Sequence, residues 1–180
     1  MAHEHHHRHT PSEAGPVEQH RAKGRATRCM VITVSDTRDL ASDKSGQRAV
    51  ELLTEAGHVV SEREIVADDR ASIVALVRAG IANRDIDAII LTGGTGIGPR
   101  DVTYEAVHEV LEKPLDGFGE LFRSLSYAEI GAAAMLSRAI GGVVGQTAVF
   151  ALPGSTKAVE LGIRKLIGPE LGHIVGLLAP

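Results

Sequence analysis

The chain has 180 residues, of which 43% are hydrophobic and 23% are charged, and its formal net charge at pH 7 is -4. A chain of this length and composition can bury a core without disulfides, and because it has no basic stripe and few aromatic side chains, the composition excludes a nucleic-acid partner. The sequence has no apolar run of about 20 residues and no signal peptide, so we expect a cytoplasmic protein without a membrane span.

Residues 1–24 differ in composition from the rest of the chain. They contain six histidines set among Pro, Ser, Glu, Gly and Lys: His3, His5, His6, His7, His9 and His20. Nothing in the pattern fixes a metal-binding geometry, so the favoured interpretation is a disordered tail, either a cloning tag or a solvated extension. Residues 25–180 are predicted to form a single α/β domain.

The regular pattern begins with an apolar, β-branched run at residues 29–34, which predicts a buried strand. A polar turn follows, and then an apolar helical face extends to Ala56, with Ser42 or Ser45 as the expected N-cap. Residues 58–66 are predicted to form a second, less buried strand.

The order strand, helix, strand continues through the middle of the chain. A second helix is predicted to begin near Asp68 and Asp69, and residues 87–92 form a continuous apolar strand. This alternation predicts a parallel sheet with right-handed crossovers. The expected fold class is therefore three-layer α/β/α with a mostly parallel central sheet, and ligands are expected beyond the carboxyl ends of its strands.

The remaining elements are predicted from apolar periodicity and turn residues. They are a helix at 102–111, a helical region at 117–139, two β segments at 140–147 and 148–152, and helices at 153–167 and 169–178. The two β segments are either separate strands or the arms of a hairpin.

A glycine-rich loop directly follows the third predicted strand and leads into a helix. It begins Thr92-Gly93-Gly94-Thr95-Gly96. Glycines at such a place let backbone N–H groups turn toward an anion, and the helix N-terminus adds partial positive charge. The loop has neither the Gly-Lys-Ser/Thr of a Walker A motif nor dinucleotide-binding spacing, so it predicts a phosphate site of another type.

Several carboxylates are expected at the same edge of the sheet. Asp101 ends the glycine-rich loop, where bound phosphates would require a bridging cation such as Mg²⁺, although this residue also suits a helix N-cap. Either Asp68 or Asp69 is placed to supply a second carboxylate, and capping of the second helix is an equally good interpretation. Asp36 faces this edge from the turn after the first strand.

A second turn with free helix N-terminal amides follows the last predicted strand. It consists of Pro153, Gly154 and Ser155, so the sequence predicts a ligand with two anionic ends. Arg100 and Lys157 are the side chains expected to neutralise phosphate charge.

These motifs resemble the MogA/MoaB family of molybdenum cofactor biosynthesis proteins, and the MoaB branch more closely, over nearly all of residues 27–178. The resemblance rests on Val34-Ser35-Asp36-Thr37, Thr92-Gly93-Gly94-Thr95-Gly96, Arg100-Asp101-Val102-Thr103, Gly117-Phe118-Gly119-Glu120, Leu136-Ser137-Arg138 and Leu152-Pro153-Gly154-Ser155. It implies a molybdopterin adenylyltransferase that uses Mg²⁺ with ATP and molybdopterin as substrates and assembles into homotrimers or homohexamers.

The resemblance also implies individual roles. Asp68 and Asp101 would act in catalysis and bind Mg²⁺, the loop from Gly93 to Gly96 would hold nucleotide phosphates, and Ser155 would help to seat the pterin. Ser35 and Asp36 complete the predicted binding residues, with Thr92, Pro153 and Gly154. Two alternatives remain at this point: a non-catalytic molybdopterin carrier of the same fold, and an oligomeric scaffold domain.

Overall fold

The computed structural model describes residues 25–179, so the predicted His-rich tail at residues 1–24 lies outside the described part of the chain. Six strands form one sheet in the order β2-β1-β3-β6-β5-β4. Their bounds are β1 Arg28–Val34, β2 Val59–Val66, β3 Ala88–Thr92, β4 Lys113–Pro114, β5 Ile140–Val144 and β6 Thr147–Leu152.

Helices connect most of these strands. They are α1 Lys44–Glu55, α2 Arg70–Ala82, α3 Thr103–Val110, α4 Asp116–Ile130, a 3₁₀ helix at Gly131–Leu136, α5 Thr156–Gly162, a π-helical turn at Ile163–Ile167, and α6 Gly168–Leu178. No helix within residues 25–179 is long and apolar enough to cross a membrane.

The predicted fold class is confirmed. Strands β2, β1, β3 and β6 are parallel, whereas β5 pairs antiparallel with β6 and the two-residue β4 pairs antiparallel with β5. The two β segments near residue 145 are therefore the arms of a hairpin, which was one of the two alternatives. The short strand β4 was not predicted, because two residues ending in a proline carry no periodic signal.

Alternate strand residues supply two cores, one on each face of the sheet. Cys29 and Val31 face α1, α4, α5 and α6, whereas Met30 and Ile32 face α2 and α3. This alternation produces the three layers, and it leaves the loops at the strand ends as the places where polar groups meet. Cys29 is fully buried, and burial, with the charge of Asp87, raises the pKa of its thiol to about 12, so Cys29 is a core residue.

The N-cap predicted for α1 is wrong. The cap is Asp43, whose carboxylate accepts from the Gly46 amide at 2.9 Å, and not Ser42 or Ser45. The same carboxylate is buried and accepts from the Thr33 hydroxyl on β1 at 2.6 Å. The carboxylate accepts the helix amide on one oxygen and the strand hydroxyl on the other, whereas a serine offers a single oxygen.

Candidate active site at the carboxyl edge of the sheet

A cleft of about 610 Å³ lies at the carboxyl ends of β1, β3 and β6. It is lined by Val34, Ser35, Thr37, Arg38, Gly93, Gly94, Thr95, Gly96, Asp101, Leu136, Ser137, Pro153, Gly154 and Ser155. Most of the predicted site residues therefore meet in one place. Asp36, Asp68 and Thr92 lie beside the cleft and do not line it.

The first two glycines of the loop are required by backbone conformation and by close packing. Gly93 has a φ of 100°, and a Cβ atom there would lie 2.4 Å from the carbonyl oxygen of Val34. Gly94 has a φ of 63°, and its Cβ would collide with the Thr103 hydroxyl and with Asp68. Any side chain here would displace the loop from the ends of β1 and β3.

The amides of the loop differ in whether they have a partner. Those of Gly98, Asp101 and Thr103 donate to groups within the loop, the last of them to the carbonyl of Gly94 at 2.9 Å. Four consecutive amides, those of residues 94–97, donate to no group within residues 25–179. Consecutive N–H groups free of partners in a glycine loop form a concave anion-binding surface.

The second predicted turn packs directly against the first. A Cβ on Gly154 would lie 3.1 Å from the Cα atom of Gly93, and the Thr92 hydroxyl donates to the Pro153 carbonyl at 3.3 Å. Ser155 is the N-cap of α5 and accepts from the Ala158 amide at 3.2 Å. Thr92 thus joins the two turns from a fully buried position, whereas Gly154 and Ser155 are accessible from the cleft.

Three carboxylates gather at the rim of the cleft. Asp68 lies against Gly94, Asp101 accepts from the Gly98 amide at 2.8 Å, and Asp36 accepts from the Asp68 amide at 3.0 Å. Burial raises the pKa of the Asp68 carboxyl above its usual value, and the negative charges of Asp36 and Asp101 raise it further. Asp101 was also predicted as a possible helix N-cap, but its side chain does not cap α3.

The choice between the two neighbouring aspartates is decided by their contacts. Asp69 is the N-cap of α2 and accepts from both the amide and the hydroxyl of Ser72, at 2.8 and 2.7 Å. Asp68 makes no capping bond, and its carboxylate oxygen lies beside the glycine loop. Asp69 is therefore the helix cap, and Asp68 is the carboxylate beside the glycine loop.

The expected phosphate-neutralising cations are not the ones that line the cleft. Arg100 forms an ion pair with Asp36, and neither Arg100 nor Lys157 lines the cleft. Arg38 lines it instead, and its guanidinium donates to the Ser45 hydroxyl at 2.8 Å. Sequence reasoning missed Arg38, although it stands two residues after Asp36 in the same polar turn.

The donor set at the rim fits Mg²⁺. This ion prefers carboxylate and phosphate oxygens and commonly uses one or two protein carboxylates, completing its shell with substrate phosphates and water. Asp68 and Asp101 supply two such carboxylates next to the free loop amides. Within the described residues no group of three or more His, Cys, Asp or Glu side chains is arranged to hold a metal ion.

This architecture defines the class of protein: a three-layer α/β protein whose ligand cleft lies where the parallel strands end. Residues 30–173 match the family described as "Probable molybdopterin binding domain". Molybdenum cofactor biosynthesis protein B of Bacillus cereus is 54% identical over 160 residues, which cover 88% of this chain and 95% of that protein.

Solved structures agree with this assignment. A crystal structure of molybdenum cofactor biosynthesis protein B superimposes with a TM-score of 0.84 at 55% identity, covering 86% of this chain and 97% of that one. The tungsten cofactor synthesizing protein MoaB from Pyrococcus furiosus superimposes with a TM-score of 0.76 at 36% identity, covering 86% and 98%. The chain belongs to the MogA/MoaB family of molybdenum cofactor biosynthesis proteins.

Proposed function

We propose that this chain is a molybdopterin adenylyltransferase that transfers AMP from Mg-ATP to the terminal phosphate of molybdopterin and releases pyrophosphate. The observation that carries the proposal is that Asp101 and the amides of residues 94–96, which donate to no group within residues 25–179, meet in one cleft, with Asp68 beside it against Gly94. Amides and carboxylates at one place suit a reaction that must hold phosphates and a divalent cation together.

The reaction needs no covalent intermediate on the protein. An oxygen of the pterin phosphate attacks the α-phosphorus of ATP in line, a P–O bond forms, and the bond to the β-phosphate oxygen breaks as pyrophosphate leaves. The loop amides and Arg38 oppose the charge that develops on the phosphoryl oxygens. Mg²⁺ held by Asp68 and Asp101 would supply further charge neutralisation between these carboxylates and the phosphates.

The two turns give the cleft two anionic subsites. The glycine loop offers amides at one side, and the Pro153-Gly154-Ser155 turn offers the N-terminus of α5 at the other. We assign the nucleotide phosphates to the loop and the pterin to the side of Ser155. We also propose that the chain works as a homotrimer or homohexamer in the cytoplasm.

The test is Mg²⁺-dependent formation of adenylylated molybdopterin from ATP and purified molybdopterin. Turnover should fall by at least about a hundredfold in Asp101→Asn and Asp68→Asn, because each substitution removes charge from the cation site. The matched control is Asp69→Asn, which makes the same chemical change one residue from Asp68. Asparagine caps helices as well as aspartate does, so the control should keep wild-type turnover.

A non-catalytic molybdopterin carrier is the alternative, since the names of the relatives give a biosynthetic role without a reaction. A carrier would bind molybdopterin equally well as wild type and as Asp101→Asn and would form no adenylylated product in either form. That outcome, measured by fluorescence titration of the pterin beside the turnover assay, would replace the transferase by the carrier.

A further inference from the structure

Arg138 lies behind the glycine loop, at the end of the 3₁₀ helix, and binds the loop through its carbonyl groups. Its guanidinium donates to the carbonyl oxygens of Thr95 and Asp101, each at 3.2 Å, and also to that of Gly96. Its neighbours Leu136 and Ser137 line the cleft, whereas Arg138 does not. One side chain thus fixes three peptide groups of a loop that lies about forty positions earlier in the sequence.

The orientation of these carbonyls determines where the loop amides face. In a trans peptide the C=O and N–H groups point in opposite directions. Holding the carbonyls of Thr95 and Gly96 against the guanidinium therefore turns the amides of Gly96 and Ile97 away from Arg138. These are two of the four amides that have no partner within residues 25–179.

The guanidinium is itself held on two further sides. Glu105, in the first turn of α3, pairs with it, and this pairing lowers the pKa of the Glu105 carboxyl. The Tyr104 ring lies 5.2 Å from the guanidinium carbon, in position for a cation–π contact. A planar group with five donors suits this arrangement, whereas a lysine ammonium has neither the plane nor the number of donors.

We infer that Arg138 is a positioning residue that fixes the glycine loop with its amides facing the phosphates of the ligand. This inference rests on the proposed function. Nε and both Nη nitrogens of Arg138 already donate to the loop or to Glu105. Its effect on the ligand is therefore transmitted through the loop backbone.

The inference is tested on the full ligand-free chain by hydrogen exchange, which requires no activity. In Arg138→Lys the loop-bonded amides of Gly98, Asp101 and Thr103 should exchange about tenfold faster, because charge-assisted bonds to three carbonyls are lost or weakened. Exchange in the β1 and β3 strands should stay unchanged. The control is Arg48→Lys, since the Arg48 side chain is 24% exposed against 27% for Arg138 and pairs with Glu51, Glu55 and Glu160 and with no group of the loop.

The second measurement is the affinity for pyrophosphate by titration calorimetry. Arg138→Lys should weaken it about tenfold at unchanged stoichiometry, and Arg48→Lys should leave it unchanged. A general loss of folded protein would instead lower the stoichiometry. Weaker binding without faster loop exchange would mean that Arg138 contacts the ligand directly, and this result would overturn the inference, as would wild-type exchange in Arg138→Lys.

Two further outcomes remain decisive. If Arg138→Lys does not fold, Glu105→Gln replaces it, and loop exchange should then rise about threefold with Arg138 still present; an unchanged rate would contradict the inference. If wild-type protein binds no pyrophosphate and forms no adenylylated product, the proposed function fails. The exchange comparison still decides whether Arg138 fixes the loop.

Discussion

Two carboxylates at opposite edges of the sheet have opposite electrostatic surroundings. At the amino edge, Asp87 accepts from the Arg28 amide at 2.9 Å, from its guanidinium at 3.1 Å, and from Arg25 at 3.1 Å. Burial alone would raise the pKa of Asp87, but these bonds hold it below its usual value. At the carboxyl edge, Asp68 faces two other carboxylates, and its pKa is raised.

The two edges differ in whether their carboxylates already have partners within the chain. A cleft of about 770 Å³ also lies at the amino edge and exceeds the 610 Å³ of the candidate site. The two carboxylates that line it, Asp87 and Glu112, already accept hydrogen bonds from groups within the chain. The smaller cleft has amides without a partner within residues 25–179 and carboxylates close to one another, groups that a phosphate and a cation would satisfy. The chemistry of these groups, and not the cleft volume, makes it the candidate site.

The largest expected effect on the free energy of unfolding is at Gly93 on the carboxyl edge, and Gly145 on the amino edge is its comparison. Gly93→Ala should lower the free energy of unfolding by about 3 kcal/mol, because it adds a contact with the Val34 backbone to an unfavourable positive φ. Gly145, in the β5–β6 turn, has a φ of 55°, but an added Cβ there would meet no atom within 4 Å, so Gly145→Ala should cost only about 1 kcal/mol. Urea denaturation of both variants measures the difference, and equal losses would contradict this account.

A smaller loss of stability is expected from Asp87→Asn. At pH 7 it should lower the free energy of unfolding by about 2 kcal/mol, since it weakens several bonds to a nearly buried carboxylate. The pKa of Asp87 is lowered in the folded chain, so the ionised side chain stabilises the fold at pH values above the ordinary pKa range of aspartate. This stabilisation disappears as the pH falls through the pKa of Asp87 in the folded chain. Asp85→Asn, at a side chain 84% exposed, is the control and should change stability little. Urea denaturation across a pH series should show the two variants converging in acid.

The smallest effect should have the opposite sign. Asp68→Asn should raise the free energy of unfolding by about 0.5 kcal/mol at pH 7. The substitution removes a partly buried negative charge that is repelled by the carboxylates of Asp36 and Asp101. A raised folded pKa means that ionisation of Asp68 opposes folding, so the gain should vanish as the pH falls below the aspartate range. Thermal unfolding of wild type and Asp68→Asn measures the difference in stability. When Mg²⁺ is added, the ion should stabilise wild type more than the variant. A loss of stability at pH 7 would show that Asp68 is structurally satisfied.

The fold could be predicted from the sequence because apolar periodicity and turn residues are local signals. Runs such as residues 29–34 and 87–92 specify buried strands, and their order specifies a parallel sheet. The polar turns after these strands then had to meet at the carboxyl edge. The glycine loop, Asp101 and the Ser155 turn do line one cleft there, and their roles in binding and catalysis stay a prediction.

The contacts of individual side chains could not be predicted in the same way. Asp68 and Asp69 are equivalent in sequence, and only the packing of α2 shows which of them caps the helix. Arg100 pairs with Asp36 across 64 positions and does not line the cleft, whereas Arg38 does. Arg138 was noted only as part of a motif, because its bonds to loop carbonyls depend on a backbone path that local propensity does not specify.

The contact between Gly93 and Gly154 joins turns that are separated by about sixty residues of sequence, and it exists only where β6 lies beside β3. Pairing between strands so far apart in the chain is slow and comes after local structure has formed. During synthesis, β1, β2 and β3 leave the ribosome long before β6 does. An emerging chain therefore cannot assemble the complete cleft until β6 has been made, so a ligand of this cleft can stabilise only a chain that already includes β6.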